Sequence, residues 1–317
     1  MTDHPNGNRY EPRDHDDYRD HAYGADGSSS SSSYRNTPGS PVPLSPMSLL
    51  EQFSVAAALL RFNPTVFIII PLATFLLTAV IPFAAKLTTG KPLAFWYTLD
   101  ETSINVHVSG SAPWWVIFVV ISAATTAWLT IVTVNGVMAS AYGRRQSATE
   151  AMGMGVRDLP RTLVPWLGFA ALGLAALVAV PWLPRALTSS PGAALALALP
   201  LQVVVVILAI RLFMAIHVVI AEQEHLGGAL RASWERTRSY GWFVFGSFLL
   251  LALITIAIDL IATPIATIMA DSALYAFVDG AVYAILSAFT LVTTTVMYLN
   301  LRMRTEGFHG EISESLD

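Results

Sequence analysis

The amino-acid sequence predicts an all-α membrane protein, a polytopic bundle of six transmembrane helices with amphipathic helices at the membrane interface. Hydrophobic residues make up 54% of the 317 residues and charged residues only 13%, which leaves too few polar side chains to cover a soluble globule. The apolar residues are gathered into runs of about 20 residues or more, the length that a helix needs to cross a hydrocarbon core of about 30 Å.

The N-terminal segment, residues 1–46, is predicted to be a disordered, low-complexity cytoplasmic tail. It holds seven acidic residues and four arginines and so carries −3 of the net charge of −4. With so few aliphatic side chains, the segment cannot bury enough apolar area to offset the entropy of ordering it. We expect this tail to be the part of the chain that contacts protein partners.

Residues 47–301 are predicted to be the transmembrane domain, and residues 302–317 a short cytoplasmic tail. The apolar runs must be helical, because a lone strand in lipid would leave its backbone groups without hydrogen bonds. The six predicted spans are Thr65–Ala85, Trp114–Ala139, Leu163–Leu183, Ala194–Val219, Trp242–Ile268 and Leu274–Leu299.

The distribution of basic residues predicts the orientation of these spans. On one side, the connections and the C-terminus contain Arg144, Arg145, Arg157, Arg161, Arg231, Arg236, Arg238, Arg302 and Arg304. The opposite connections contain only Lys86, Lys91 and Arg185. Because basic loops stay on the cytoplasmic side, both termini are predicted to be cytoplasmic and the protein to lie in the plasma membrane.

An amphipathic helix is predicted directly before the fifth span, over residues 226–240. One face of the helical wheel carries Leu226, Ala229, Leu230, Ser233, Trp234, Thr237 and Tyr240, and the other carries Glu224, Arg231, Glu235 and Arg238. We expect this helix to lie in the inner headgroup layer, with a helix packed on cytoplasmic loops as the alternative. Similar segments precede the first and third spans, which suggests three parallel units of one interfacial helix and one helical hairpin.

The stretch "RLFMAIHVVIAEQEHLGGALRASWERTRSYGWFVFGSFLLLALI", residues 211–254, resembles the glycerophosphoryl diester phosphodiesterase membrane-domain family and related bacterial multi-pass proteins. The resemblance rests on Arg211 late in a span, on Glu222, and on "GALRASWERTR" followed by an aromatic residue and "FG". It implies that phosphodiesterase activity, where members have it, belongs to a separate soluble barrel of more than about 200 residues. We expect no such catalytic domain in this chain.

Several classes of function are not supported by the sequence. The chain after residue 46 is close to neutral and gives no case for nucleic-acid binding. Cysteine is absent, which excludes disulfides and thiolate chemistry. Hydrolase, zinc-protease, nucleotide-phosphate and dinucleotide motifs are also absent, so we predict no catalytic, metal or cofactor site and no enzyme activity.

The remaining candidate site residues are polar side chains in or beside the spans, where an ionisable group is costly. The candidates for contact with anionic lipid headgroups or a partner are Arg211, Glu222, Arg231, Trp234 and Arg238. Arg211 has the alternative of pairing with Glu222 or with helix carbonyls. The candidates for a transport site are Asp259 and Asp279, and for Asp259 the alternative is a hydrogen bond to Thr255, Thr263 or Tyr283.

Two functions follow from these candidates. The first is a non-catalytic integral membrane protein, a scaffold or accessory protein in membrane-lipid or cell-envelope processes. The second is a small-solute or lipid transporter built on Arg211, Asp259 and Asp279. The sequence favours the first, because no conspicuous polar path runs through the spans.

Overall fold

The computed structural model describes residues 39–43, 45–90, 94–100, 103–269 and 273–306. Most of the predicted N-terminal tail, and residues 307–317, lie outside these ranges. Within the described part of the chain there are eight α-helices and one β-hairpin. The helices are α1 (Leu49–Phe62), α2 (Ile70–Thr89), α3 (Ala112–Ala141), α4 (Ala148–Leu187), α5 (Pro191–Ala221), α6 (Leu226–Arg238), α7 (Gly241–Met269) and α8 (Ala273–Glu306).

Five helical segments of the described chain are long and apolar enough to cross a membrane. They are Thr65–Thr89, Ala112–Ala141, Gly192–Ala221, Gly241–Ile261 and Gly280–Glu306. The predicted helical membrane protein is therefore confirmed, with five candidate spans among the described residues. The predicted third span, Leu163–Leu183, lies inside the single long helix α4.

The three predicted amphipathic segments differ in how they join the spans that follow them. A π-helical turn, Thr65–Ile69, connects α1 to α2, and two residues separate α6 from α7. In contrast, residues 148–161 continue without a break into the rest of α4. Ser48 and Glu51 form a capping box at the start of α1, and Ser147 caps α4 by accepting a hydrogen bond from Glu150 N–H.

A β-hairpin between α2 and α3 is an addition to the predicted helices. Strands β1 (Ala94–Asp100) and β2 (Ser103–Ser109) pair antiparallel, with Ala94 opposite Ser109 and Asp100 opposite Ser103. Both strands, "AFWYTLD" and "SINVHVS", contain the aromatic and β-branched residues that fit a pleated surface.

The buried core lies at the C-terminal ends of α3, α5 and α8. Every residue is buried over 129–134 in α3, 214–220 in α5 and 292–301 in α8. Earlier in the same helices large apolar side chains are exposed, as at Val116 and Val203. Exposed apolar side chains on long helices are expected where the neighbouring medium is lipid.

Three amphipathic segments cover this core, and we call them the collar: α1, the first part of α4 (residues 148–161) and α6. Collar helix α1 packs on α8, α4 packs on α3, and α6 packs on α5. Gly155 brings the second segment close to α3, since a Cβ at this position would lie 2.4 Å from Trp128 Nε1. The amphipathic segments are thus joined to protein along one side, and each covers the end of a different long helix.

The residues just before α1 also contact the core. The Ser40 hydroxyl donates to the Ser140 carbonyl (3.0 Å), and the Met47 N–H donates to Asn300 Oδ1 (2.9 Å). Val42 and Met47 are buried. The packed part of the chain therefore begins before α1, with Ser40 at the end of α3 and Met47 at the end of α8.

Candidate functional site

Several polar side chains are bonded to one another where α5, α6 and α8 meet. Glu222 ends α5, and Gln223 takes a left-handed backbone conformation (φ 58°) as the chain turns toward α6. The turn lets α6 run back along α5, so that the Ser233 hydroxyl donates to the Arg211 carbonyl (2.5 Å). Two groups of polar side chains then face α6 from its neighbours.

The first group, which we call the junction cluster, consists of Glu222, Arg236, Tyr298 and Glu306. Arg236 donates from Nη1 and Nη2 to the two carboxylate oxygens of Glu222 (2.5 and 2.9 Å), and from Nε to Glu306 (2.6 Å). The Tyr298 hydroxyl donates to the same Glu222 carboxylate. Only 10% of the Arg236 side chain and 17% of the Glu222 side chain are exposed. This two-point geometry is the strongest form of an arginine–carboxylate pair.

The electrostatics of the junction cluster keep both main partners ionised. Burial raises the pKa of Glu222, but hydrogen bonds from Arg236 and Tyr298 and the charge of Arg236 outweigh burial, so the net effect lowers this pKa. Burial lowers the pKa of Arg236, and the hydrogen bonds and charge of Glu222 more than reverse that effect. Glu306 also accepts from Arg302 (2.9 Å). The cluster therefore ties α5, α6 and α8 together with compensated charge.

The second group surrounds Arg211 on α5. Its Nη1 donates to the Trp234 carbonyl (3.3 Å) and to the Thr237 hydroxyl (3.4 Å), and its guanidinium lies 5.2 Å from the centre of the Trp234 ring. Of the two structural alternatives that the sequence leaves for Arg211, the geometry corresponds to the helix carbonyl. Glu222, the other alternative, is taken by Arg236.

The other lipid-contact candidates lie on the exposed side of α6. Arg231 pairs with Glu235 (2.8 Å), and both side chains are largely exposed. Trp234 is 46% exposed and Arg238 is exposed. The face that the sequence predicts to be apolar is divided in the structure: Ala229, Ser233 and Thr237 are buried in the protein, whereas Leu226 and Trp234 are exposed.

The two transport candidates are not brought together by any described contact. Asp259 is partly buried on α7. Asp279 belongs to α8, and its side chain lies outside the described residues. The hydroxyl of Thr255, which the sequence offers as a partner of Asp259, donates a hydrogen bond to the Leu251 carbonyl of its own helix (3.1 Å).

Sequence reasoning missed Arg236, Tyr298 and Glu306 as site residues. Arg236 lies between the two faces of the predicted wheel, and Tyr298 lies in an apolar run. Tyr298 is 76 positions from Glu222, so no local spacing links them. The one available signal was Glu222 itself, since a carboxylate at the end of a span requires a partner if it is buried.

An open cleft of about 260 Å³ adjoins the junction cluster and is lined by Ala232, Glu235, Arg236, Thr305 and Glu306. Its charged walls are already paired with one another or with neighbours. Among the described residues, no group of three or more His, Asp or Glu side chains could hold a metal ion.

Comparison with known families gives a match to the C-terminal helices that carry the junction cluster. Residues 186–306 match the family model described as the membrane domain of glycerophosphoryl diester phosphodiesterase. The chain is a multi-pass membrane protein. The match confirms the resemblance seen in the sequence, covers α5 to α8 and contains the whole junction cluster. It concerns the membrane domain of that phosphodiesterase. No curated protein and no solved structure matches the chain.

Proposed function

We propose that this protein is a non-catalytic integral membrane protein that serves as a scaffold or accessory protein in membrane-lipid or cell-envelope metabolism. The observation that carries the proposal is the junction cluster. Glu222, which the sequence offers for lipid or partner contact, pairs with Arg236 of α6, and one nitrogen of Arg211 also donates to α6. Ionisable groups that hold helices together favour a rigid platform over a path that must open and close.

The contacts of the collar support an architecture of six spans in three parallel units. The units are α1 to α3, α4 to α5 and α6 to α8. Each collar segment packs on the returning helix of the preceding unit: α4 on α3, α6 on α5, and α1 on α8. This cyclic pattern is what a bundle with approximate threefold organisation about the membrane normal requires, and it differs from inverted repeats.

The exposed arginines support a cytoplasmic position for the collar and both termini, in the plasma membrane. Exposed members of the set are Arg61, Arg144, Arg145, Arg157, Arg161, Arg231 and Arg238. All of them lie on the collar segments or on the loops that adjoin them. A surface rich in arginine stays on the cytoplasmic side and is attracted to its anionic lipids.

The proposed setting follows from the family description, which attaches this membrane domain to an enzyme of glycerophosphodiesters. In this chain we assign the membrane domain to residues 47–301, with the N-terminal tail, residues 1–46, recruiting soluble protein partners. The short segment 302–317 is assigned to the same cytoplasmic side. A scaffold of this kind would hold such partners at the lipid surface on which they act.

Reconstitution tests the proposal against enzyme and transporter. The full chain in proteoliposomes is compared with protein-free vesicles for release of alcohol from glycerophosphodiesters and for transbilayer movement of a headgroup-labelled phospholipid. We expect both rates to equal those of empty vesicles. Hydrolysis by the purified chain, or lipid movement that Asp259→Asn abolishes, would overturn the proposal in favour of the enzyme or of the transporter.

Proximity labelling in cells tests the scaffold role directly. A labelling enzyme is fused to the C-terminus of the full chain and of a variant lacking residues 2–38, which leaves the packed residues from Ser40 onward in place. We expect envelope- or lipid-metabolising proteins to be labelled by the full chain and lost from the variant, with equal amounts of both proteins in the membrane. If the full chain and the variant label the same proteins, the tail does not recruit partners.

A further inference from the structure

The position of Arg211 coincides with a change in what surrounds α5. Before it, large apolar side chains are exposed at Val204, Ile207 and Leu208. From Met214 onward the helix is covered by protein. The helix rises about 1.5 Å per residue, so the stretch from Pro191 to Arg211 measures about 30 Å, the thickness of a hydrocarbon core. Arg211 therefore lies where exposed apolar side chains on α5 give way to side chains covered by protein.

The guanidinium of Arg211 is oriented by α6 through one nitrogen. Nη1 donates to the Trp234 carbonyl and the Thr237 hydroxyl. No acceptor among the described residues is within hydrogen-bond distance of Nε or Nη2, and no described carboxylate forms an ion pair with Arg211. The side chain is partly exposed. Two donors on one edge of a guanidinium match two oxygens of a phosphate.

The residues around this edge favour a lipid over a soluble phosphate. Ile207 and Leu208 are four and three positions before Arg211, so they lie one turn deeper on the same side of α5, and both are exposed. The guanidinium also lies over the face of the exposed Trp234 ring. Apolar surface below a cation fits a molecule with a phosphate above acyl chains.

A second cation adjoins the site. Arg238 follows Trp234 by four positions and so shares its side of α6, and it is exposed. Arg231 also lies on the exposed part of α6, but its charge is compensated by Glu235 at 2.8 Å. Arg231 is therefore already paired with a carboxylate, whereas no described carboxylate pairs with Arg238.

We propose that Arg211, Trp234 and Arg238 form a binding site for the phosphate of a single phospholipid, whose acyl chains lie along Ile207 and Leu208. The assignment to the inner leaflet rests on the proposed function, which places the collar on the cytoplasmic side. The binding itself does not depend on that orientation. The site makes the α5–α6 seam the point at which the platform recognises a lipid with a net negative headgroup.

Native mass spectrometry of the full chain in detergent tests the site, with dioleoylphosphatidylglycerol as the probe and dioleoylglycerol as the same molecule without phosphate. The full chain should retain the first lipid and not the second. Arg211→Gln should weaken retention by about tenfold, the loss expected for charge-assisted hydrogen bonds. Arg238→Gln should weaken it to a smaller extent. Arg231→Gln is the matched control and should leave it unchanged.

Three outcomes would overturn the proposal. The first is unchanged retention in both Arg211→Gln and Arg238→Gln. Arg238→Gln keeps the test valid if Arg211→Gln fails to fold, because no described contact holds Arg238 to the protein. The second is equal retention of the lipid without phosphate. The third is full competition by equimolar glycerophosphoglycerol, which would assign the site to a soluble phosphodiester. The hydrolysis, lipid-movement and labelling assays do not depend on lipid retention. The lipid site can therefore be disproved without disproving the scaffold role, and the reverse also holds.

Discussion

Arg236 on α6 links the end of α5 to α8. It forms hydrogen bonds with Glu222 and Glu306, and its guanidinium lies 5.9 Å from the centre of the Tyr298 ring. The sequence identifies Glu222 and Arg211 as unusual, because ionisable groups at the ends of spans are recognisable from their neighbours. It does not identify their partners, because pairing across 14 or 76 positions depends on how the helices meet.

Replacing Arg236 should destabilise the protein more than replacing any exposed arginine of α6. Arg236→Leu leaves the Glu222 carboxylate buried without its main counter-charge, which costs about 3–5 kcal/mol. Arg231→Leu removes an exposed pair that solvent screens, and it should leave the melting temperature almost unchanged. The measurement is thermal unfolding in detergent. If the two variants melt at the same temperature, the junction cluster does not hold α6 in place.

The lowered pKa of Glu222 predicts how the cluster responds to acid. Because this pKa is lower in the folded protein than in the unfolded chain, the ionised carboxylate stabilises the fold fully above the ordinary glutamate pKa. This stabilisation declines below the ordinary pKa and is lost as the pH falls through the lowered pKa of the folded protein. The melting temperature of the wild type should therefore exceed that of Glu222→Gln at neutral pH, and the difference should shrink on acidification. A difference independent of pH would show that Glu222 contributes through packing alone.

At the scale of helices, amphipathic periodicity predicts α6 well and predicts its surroundings in part. The helix runs from Leu226 to Arg238, close to the predicted range. Its apolar face was expected to meet lipid, yet Ala229, Ser233 and Thr237 meet protein. A helical wheel states which residues share a face and does not state which medium that face meets, because a protein groove and a lipid boundary select the same side chains.

The hairpin β1–β2 was missed because its strands are short and lie between dominant apolar runs.

The close approach of the collar to α3 predicts opposite effects for two glycines of α4. Gly155→Ala should be destabilising by about 1–3 kcal/mol, the usual cost of overpacking, because its Cβ would lie 2.4 Å from Trp128 Nε1. Gly153→Ala meets no atom within 4 Å and should stabilise the helix by up to about 1 kcal/mol. Both are measured by thermal unfolding in detergent. Stabilisation by both substitutions would mean that residues 148–161 do not pack on α3 as described.

At the scale of the whole molecule, composition alone predicts a multi-pass helical membrane protein, since runs of about 20 apolar residues leave few other structures open. The arrangement of these helices is a separate matter. Helix α1, near one end of the chain, packs on α8, near the other, and no periodicity in the sequence indicates this contact. The proposed cytoplasmic collar, scaffold surface and leaflet of the lipid site all depend on the proposed parallel arrangement of six spans.

Cysteine accessibility in intact cells tests that arrangement most directly, since the native chain contains no cysteine. Single cysteines replace exposed residues at the two predicted outer connections, Gly90 and Ser189, and at two collar positions, Thr149 and Glu224. With six spans, a membrane-impermeant maleimide labels Gly90→Cys and Ser189→Cys in intact cells, and labels Thr149→Cys and Glu224→Cys only after permeabilisation. If the maleimide does not label Ser189→Cys in intact cells, or if it does label Thr149→Cys in them, α4 does not cross the membrane as proposed. The three parallel units would then be wrong as well.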